Sequence, residues 1–293
     1  MNETKLRLED VSFIYGKNTP YEIRALDHVT LDIHKGTMTG IIGHTGSGKS
    51  TMVQLFNGLT KPAEGKILLD GVDIWEKPKE IGKVRFRVGL VMQYPEYQLF
   101  EETVEADIAY GPKNMGLDAE EIAKRVSDAA EFVGLDAEML KKSPFDLSGG
   151  QKRRAALAGV MAMRPEVLVL DEPAAGLDPR GRDAILKGIS TYREATGATI
   201  IIVSHSMEDM ARFCDEIIVM DHAKVRMVGK KEEIFSHAET LIDAGLDVPE
   251  ITKLIGMLRE RGVEVDSSIY TVSQAEEALW RLFEIGSQGG QAK

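Results

Sequence analysis

Cysteine is nearly absent: Cys214 stands alone in 293 residues. That excludes an internal disulfide and any metal site built from several thiolates, and a lone thiol suits a reducing compartment such as the cytoplasm. Long hydrophobic runs are also missing. The longest apolar stretch, Ala155 to Met163, has nine residues and starts directly after Lys152, Arg153 and Arg154, whereas a bilayer-crossing helix needs about 20. Met1 to Asp10 is charged and alternating rather than signal-like. Any membrane association is therefore expected to pass through another protein or through surface contacts. Positive charge is not in excess either. Thirty-six Lys and Arg against 47 Asp and Glu leave a net charge of −11, which argues against a general binder of nucleic-acid backbones. What remains is ordinary: 43% hydrophobic and 28% charged residues, a folded chain of one large or two small domains with no internal repeat.

Strand patterns dominate the first 95 residues. Leu6, Leu8 and Val11 open an extended segment, and Ala25 to Ile33 alternates as a second strand. Met38 to Ile42 is apolar, runs into a glycine-rich loop and precedes a helix over Ser50 to Asn57. Ile67 to Leu69 and Val88 to Met92 add further strands. From Pro95 to Pro165 the texture turns helical, with Ile122, Val126, Ala129, Ala130 and Val133 spaced by three and four, and a second helix over Ser148 to Met163. Strands return at Val167 to Leu170, Thr199 to Val203 and Glu216 to Met220, around a helix from Arg180 to Ala195. The alternation predicts an α/β fold on a largely parallel sheet, interrupted by a helical insertion. The last segment, Lys231 to Lys293, has 6 basic and 12 acidic residues. There Ile251, Leu254, Ile255 and Leu258 predict one helical face, Ser273 and Glu276 a capping box opening a second helix, and Ser287 to Lys293 a loose polar tail.

Three motifs carry chemistry. Gly43-His44-Thr45-Gly46-Ser47-Gly48-Lys49-Ser50-Thr51 fits the phosphate-loop pattern G-x-x-x-x-G-K-[ST]. Its glycines let successive N–H groups face one anion at the positive end of the following helix. Lys49 is then placed to neutralise the outer phosphates, and the Ser50 hydroxyl to ligate Mg²⁺. The apolar strand Leu168-Val169-Leu170 ends in Asp171-Glu172, where the first carboxylate suits Mg²⁺ and the second suits polarising an attacking water. Leu147-Ser148-Gly149-Gly150-Gln151 opens a basic helix and makes a second anion site. A simple nucleotide kinase has no use for two phosphate sites. A nucleotide held by another chain does.

In this order the motifs resemble the ATPase subunits of ABC (ATP-binding cassette) transporters, over roughly residues 5–230. The resemblance implies a P-loop NTPase (RecA-like) α/β core with an antiparallel β subdomain, a helical signature subdomain at about 96–164 and a small α-rich C-terminal extension at 231–293. It implies ATP and Mg²⁺ as ligands. Tyr15 then corresponds to the aromatic that stacks on adenine, Gln93 to the glutamine that senses Mg²⁺ and γ-phosphate, and His205 to the switch histidine. Ser148 to Gln151 and Asp178, in Gly176-Leu177-Asp178, correspond to contacts made across to the opposite active site. Catalytic roles fall to Lys49, Glu172 and His205, and Mg²⁺ contacts to Ser50, Gln93 and Asp171.

A finer resemblance rests on Gln93-Tyr94-Pro95-Glu96-Tyr97-Gln98-Leu99-Phe100 and on Asp107 to Asn114. These are similar to the ATPases of energy-coupling factor importers, including the cobalt and nickel type, and Gln151 to Gly159 with Glu172 to Gly176 looks like their second ATPase subtype. The resemblance implies an importer of vitamins or transition-metal ions and a second ATPase chain, a different one favoured over a second copy. It also implies an integral coupling subunit, a substrate-binding membrane subunit and a peripheral place on the cytoplasmic face of the membrane. Tyr94, Tyr97, Phe100 and Glu101 would form the groove for the coupling subunit, and 231–293 would add to contact between the ATPases. Alternatives are another class of ABC importer or a soluble ABC ATPase. Repair members of the latter carry a long coiled coil where only 55 residues separate Gln93 from Ser148 here, and translation members usually carry two cassettes.

Overall fold

The computed structural model describes residues 3–289; Met1, Asn2 and Gly290 to Lys293, the last including most of the expected loose tail, lie outside the described residues. In chain order the first elements are β1 (Thr4–Tyr15), β2 (Ile23–His34), β3 (Met38–Gly43), α1 (Lys49–Phe56), β4 (Glu64–Leu69), β5 (Val72–Asp73), α2 (Ile81–Arg87) and β6 (Val88–Val91). A helical block follows: α3 (Val104–Asn114), α4 (Ala119–Val133), α5 (Ala137–Leu140) and α6 (Gly149–Met161). The core resumes with β7 (Val167–Asp171), α7 (Pro179–Thr196), β8 (Thr199–Val203), α8 (Met207–Phe213), β9 (Glu216–Asp221) and β10 (Lys224–Lys230). Among the described residues four helices come last: α9 (Lys231–Ser236), α10 (Ala238–Asp243), α11 (Glu250–Glu260) and α12 (Val272–Gly289).

Two sheets organise these elements. One is antiparallel, ordered β2-β1-β4-β5; the other runs β10-β9-β3-β8-β7-β6 and is parallel except for β10. Strands β3, β7 and β8 are buried along their whole length, which is why their sequences read as continuous apolar runs rather than alternating ones. Successive residues nevertheless face opposite sides. Leu168, Leu170, Ile200 and Ile202 join one core with α3, α4, α6 and α7, whereas Val167, Val169, Ile201 and Val203 join another with α1 and the antiparallel sheet.

Local signals fix the helix ends. Asp118 caps α4 by accepting from the Glu121 N–H at 2.9 Å, and Gly134 ends that helix in the left-handed conformation. The cap of α12 differs from the sequence expectation. Thr271, not Ser273, accepts from the Gln274 N–H at 3.3 Å, while Gln274 Oε1 accepts from the Thr271 N–H at 3.1 Å. The reciprocal pair thus lies two residues earlier. Likewise Ile255 is buried and Ile251 and Leu258 pack beside it, but Leu254 is 44% exposed. Ser287 to Gly289, expected to be loose, continue α12. From the C-terminal segment, Ile234, Phe235, Leu241, Leu246, Val248 and Tyr270 pack into the larger of the two sheet cores, and Ile255, Ile269 and Ala275 form a small core of their own.

Candidate functional site

Parallel strands place their C-terminal ends on one edge, and that edge holds the chemistry. In register, Asp171 of β7 stands beside Val203 of β8, and Gly43 of β3 beside Met220 of β9. The loops leaving β3, β6, β7 and β8 therefore converge. They line a cleft of about 360 Å³ that brings together Tyr15, Thr45, Gly46, Gly48, Lys49, Ser50, Thr51, Gln93, Asp171, Glu172 and His205. Gly43, His44 and Ser47, of the same loop, do not line the cleft. Ser47 is fully buried and its hydroxyl has no partner among the described residues.

Backbone geometry explains the glycine at position 48. Gly48 has φ +104°, and a Cβ there would lie 2.3 Å from the Ala25 carbonyl oxygen. It caps α1, whose first residue is Lys49. The Lys49 ammonium is almost fully buried and donates to the carbonyls of Gly43 (2.6 Å) and His44 (2.9 Å). Burial pushes its pKa down, opposed by the nearby charges of Glu172 and Asp171. Two of its three protons hold the loop and one remains for an anion. Tyr15 is 43% exposed at the cleft mouth, anchored by its hydroxyl to Thr51 Oγ1 at 3.1 Å.

The acidic pair sits deeper. Burial raises the Asp171 carboxyl, with the Ser50 hydroxyl and the Lys49 charge opposing it. Glu172 is pushed up to about 7, first by burial and then by the charge of Asp171. One of its oxygens, Oε1, is buried without a hydrogen-bond partner among the described residues, 3.6 Å from Nε2 of His205. Its backbone adopts φ +54°, unusual for a side chain of this size, with its N–H donating to the Val203 carbonyl at 3.0 Å. His205 is pushed down, by burial first and then by Lys49, so its ring favours the neutral form. The arrangement offers a cation and N–H groups for phosphates, hard oxygen donors for a divalent ion, and a carboxylate poised near neutrality for a water proton.

Ser148, Gly149, Gly150 and Gln151 do not line this cleft. They open α6, where Ser148 and Gln151 form a reciprocal capping box with the Ser148 N–H donating to Gln151 Oε1 at 2.9 Å. Asp178 is also outside, capping α7 by accepting from the Gly181 N–H at 2.6 Å. Tyr94, Tyr97, Phe100 and Glu101 lie on the segment after Gln93; the three aromatics are all more than half exposed. Asp107 holds that segment by accepting from the Phe100 and Glu101 N–H groups at 3.3 and 3.1 Å.

Two parts of the site escaped sequence reasoning. Ile23, Arg24 and Ala25 of β2 form a wall of the cleft, and only the close approach of Ala25 to Gly48 marks them. Arg153 is a buried clamp: it pairs with both Glu96 oxygens at 3.0 and 3.1 Å and donates to the Ala175 carbonyl. One side chain thereby links the segment after Gln93, the start of α6 and the loop after Glu172. No sequence signal marks it, since Glu96 and Arg153 are 57 positions apart.

Comparison with known proteins agrees with this geometry. Residues 26–175 match the family described as ABC transporter. The chain is 53% identical to the energy-coupling factor transporter ATP-binding protein EcfA2 of Clostridium perfringens, over 94% of this chain and 98% of that one. Among solved structures, cbiO1 of Clostridium perfringens, described as part of the ABC transporter complex cbiONQ, is similar at 38% identity and a TM-score of 0.74, covering 87% of this chain and 99% of that one. A dimeric ATP-binding cassette solved in a post-hydrolysis state with ADP and Pi is similar at 29% identity and a TM-score of 0.70, over 77% and 98%. Sequence motifs, cleft and relatives coincide: the chain belongs to the ABC transporter family, as an ATP-binding and ATP-hydrolysing protein of the energy-coupling factor transporter type.

Proposed function

We propose that this ATPase is one of two nucleotide-binding chains that close head to tail over ATP, and that closure drives an importer of vitamins or transition-metal ions through an integral coupling subunit. The observation that carries the reading is the split of the machinery. Lys49, Ser50, Gln93, Asp171, Glu172 and His205 share one cleft, while Ser148 to Gln151 and Asp178 do not reach it. A chain with a complete phosphate loop and a separate, outward-facing anion site is suited to completing a partner's active site. The partner favoured is a different ATPase chain, because the relatives at about half identity carry the name of the second subtype.

Mg²⁺ fits the donors present: the Ser50 hydroxyl, the Asp171 carboxylate and the Gln93 side chain offer oxygen atoms at the same cleft and would hold it. When bound, it supplies charge neutralisation on the phosphate oxygens. The remaining work is done by this chain. Lys49 binds phosphate, Glu172 takes the proton of the attacking water at its unpartnered oxygen, and neutral His205 orients the γ-phosphate end.

No helix among the described residues is long and apolar enough to cross a membrane, so attachment at the cytoplasmic face is assigned to the coupling subunit. Selection of the transported molecule is assigned to a separate substrate-binding membrane subunit. Tyr94, Tyr97 and Phe100 support a docking role for a helix of the coupling subunit: an exposed aromatic group directly after the phosphate-sensing Gln93. The exposed Leu254, Met257 and Trp280 support contact between ATPases through 231–293. In the reconstituted complex, Phe100→Ala and Glu101→Lys should cut transport while leaving ATP binding by the ATPase pair intact, with Phe100→Ala costing about 2 kcal/mol of coupling-subunit affinity. Equal loss of ATP binding and transport would assign these residues to internal packing instead.

A further inference from the structure

Three side chains with possible ligand atoms cluster beside the phosphate loop and outside the nucleotide cleft. The register of β3 against β9 pairs Gly43 with Met220, so the next residues along both strands, His44 and Asp221, emerge side by side. His222 follows in the two-residue turn to β10. We propose that His44, Asp221 and His222 bind one borderline divalent transition-metal ion of the zinc, nickel or cobalt class.

The geometry is that of a three-ligand set. Nε2 of His44 is 3.2 Å and Nδ1 of His222 2.6 Å from the same Asp221 oxygen, and the three donor atoms lie within 4.8 Å of one another. Ligands around a tetrahedral ion with bonds of about 2.0–2.1 Å stand roughly 3.3 Å apart. Small side-chain rotations reach that spacing.

Nδ1 of His44 donates to the Thr45 carbonyl oxygen at 2.9 Å, which leaves Nε2 directed at the Asp221 oxygen. A donor bond from the far ring nitrogen to a backbone carbonyl is also what orients imidazoles as metal ligands.

The surroundings are consistent. Arg226 pairs with the other Asp221 oxygen at 2.9 Å, leaving the shared one for the ion. His222 and Ala223 both have positive φ, 46° and 65°, and this tight turn sets the His222 ring against Asp221. Two imidazoles and one carboxylate favour borderline ions over Mg²⁺. His44 and Asp221 do not line the nucleotide cleft, yet the His44 carbonyl accepts from Lys49. Any effect of the ion on ATP affinity must therefore be mirrored by ATP on ion affinity.

The test is Co²⁺ binding to the full-length chain, made without a histidine tag and stripped of metal, followed by equilibrium dialysis and visible absorption. The expected result is one Co²⁺ per chain with a nitrogen-ligand spectrum, displaced by Zn²⁺ but not by excess Mg²⁺. His222→Ala alters a side chain that is 85% exposed, so the fold and basal ATPase are retained. Since even an outer-shell partner is worth about 10–100-fold in metal affinity, the variant should bind at least tenfold more weakly. Unchanged Co²⁺ affinity in His222→Ala, or binding that Mg²⁺ displaces equally well, overturns the proposal.

Discussion

Glu172 is poised to exchange a proton near neutral pH in a site where a water must lose one, and its environment sets that balance. Burial and the adjacent Asp171 charge bring its pKa to about 7 from the usual 4.5. Because the folded-state value lies above the unfolded one, the associated stability is fully present below pH 4.5 and is lost as pH rises through 7. The full effect is on the order of 3 kcal/mol. Glu172→Gln removes the ionisation, so the stability of nucleotide-free wild type relative to this variant should fall between pH 5 and pH 8.5, as read by denaturant unfolding. A difference that stays constant with pH would mean that Glu172 is an ordinary exposed carboxylate. The same residue was legible in the sequence because the chemistry demands an acid at the end of an apolar strand. Its left-handed backbone was not legible, since it depends on the Val203 carbonyl across the sheet.

At the scale of elements, three segments share one side chain. Arg153 on α6 binds Glu96 bidentately and the Ala175 carbonyl, while its guanidinium lies 6.0 Å over the Tyr94 ring. Removing one partner of a buried ion pair costs about 3–5 kcal/mol because the other is stranded. Arg153→Ala should therefore destabilise the chain by about that amount, and a double-mutant cycle with Glu96→Ala should give a coupling of at least about 1 kcal/mol. Arg153→Lys should not restore it, since lysine lacks the planar fork. A coupling near zero would show that the pair is incidental. The clamp was hidden in the sequence because Glu96 and Arg153 are 57 positions apart and neither spacing nor periodicity joins them. The cap of α12 was misplaced for a related reason. Thr271-Gln274 and Ser273-Glu276 both satisfy the capping pattern, and tertiary packing chooses between them: Tyr270 is buried, stacked on Phe235 and bonded to Glu232, which fixes the chain just before Thr271.

For the whole molecule, the parallel sheet was readable from buried apolar strands alternating with helices, and so was the edge that carries the phosphate loop and the acidic pair. The β2 wall of the cleft was not, because it is set by how the antiparallel sheet packs against α1. Ser148 to Gln151, which the resemblance assigns to the opposite active site, do not line this chain's own cleft. That separation makes the central claim one about two chains. It is tested most directly by the molecular mass of Glu172→Gln in solution, with ATP and Mg²⁺ and a companion ATPase chain. The account predicts a stable pair that forms only with ATP and is lost in Lys49→Ala. A chain that stays single with every such companion, or that pairs equally well without nucleotide, would contradict it.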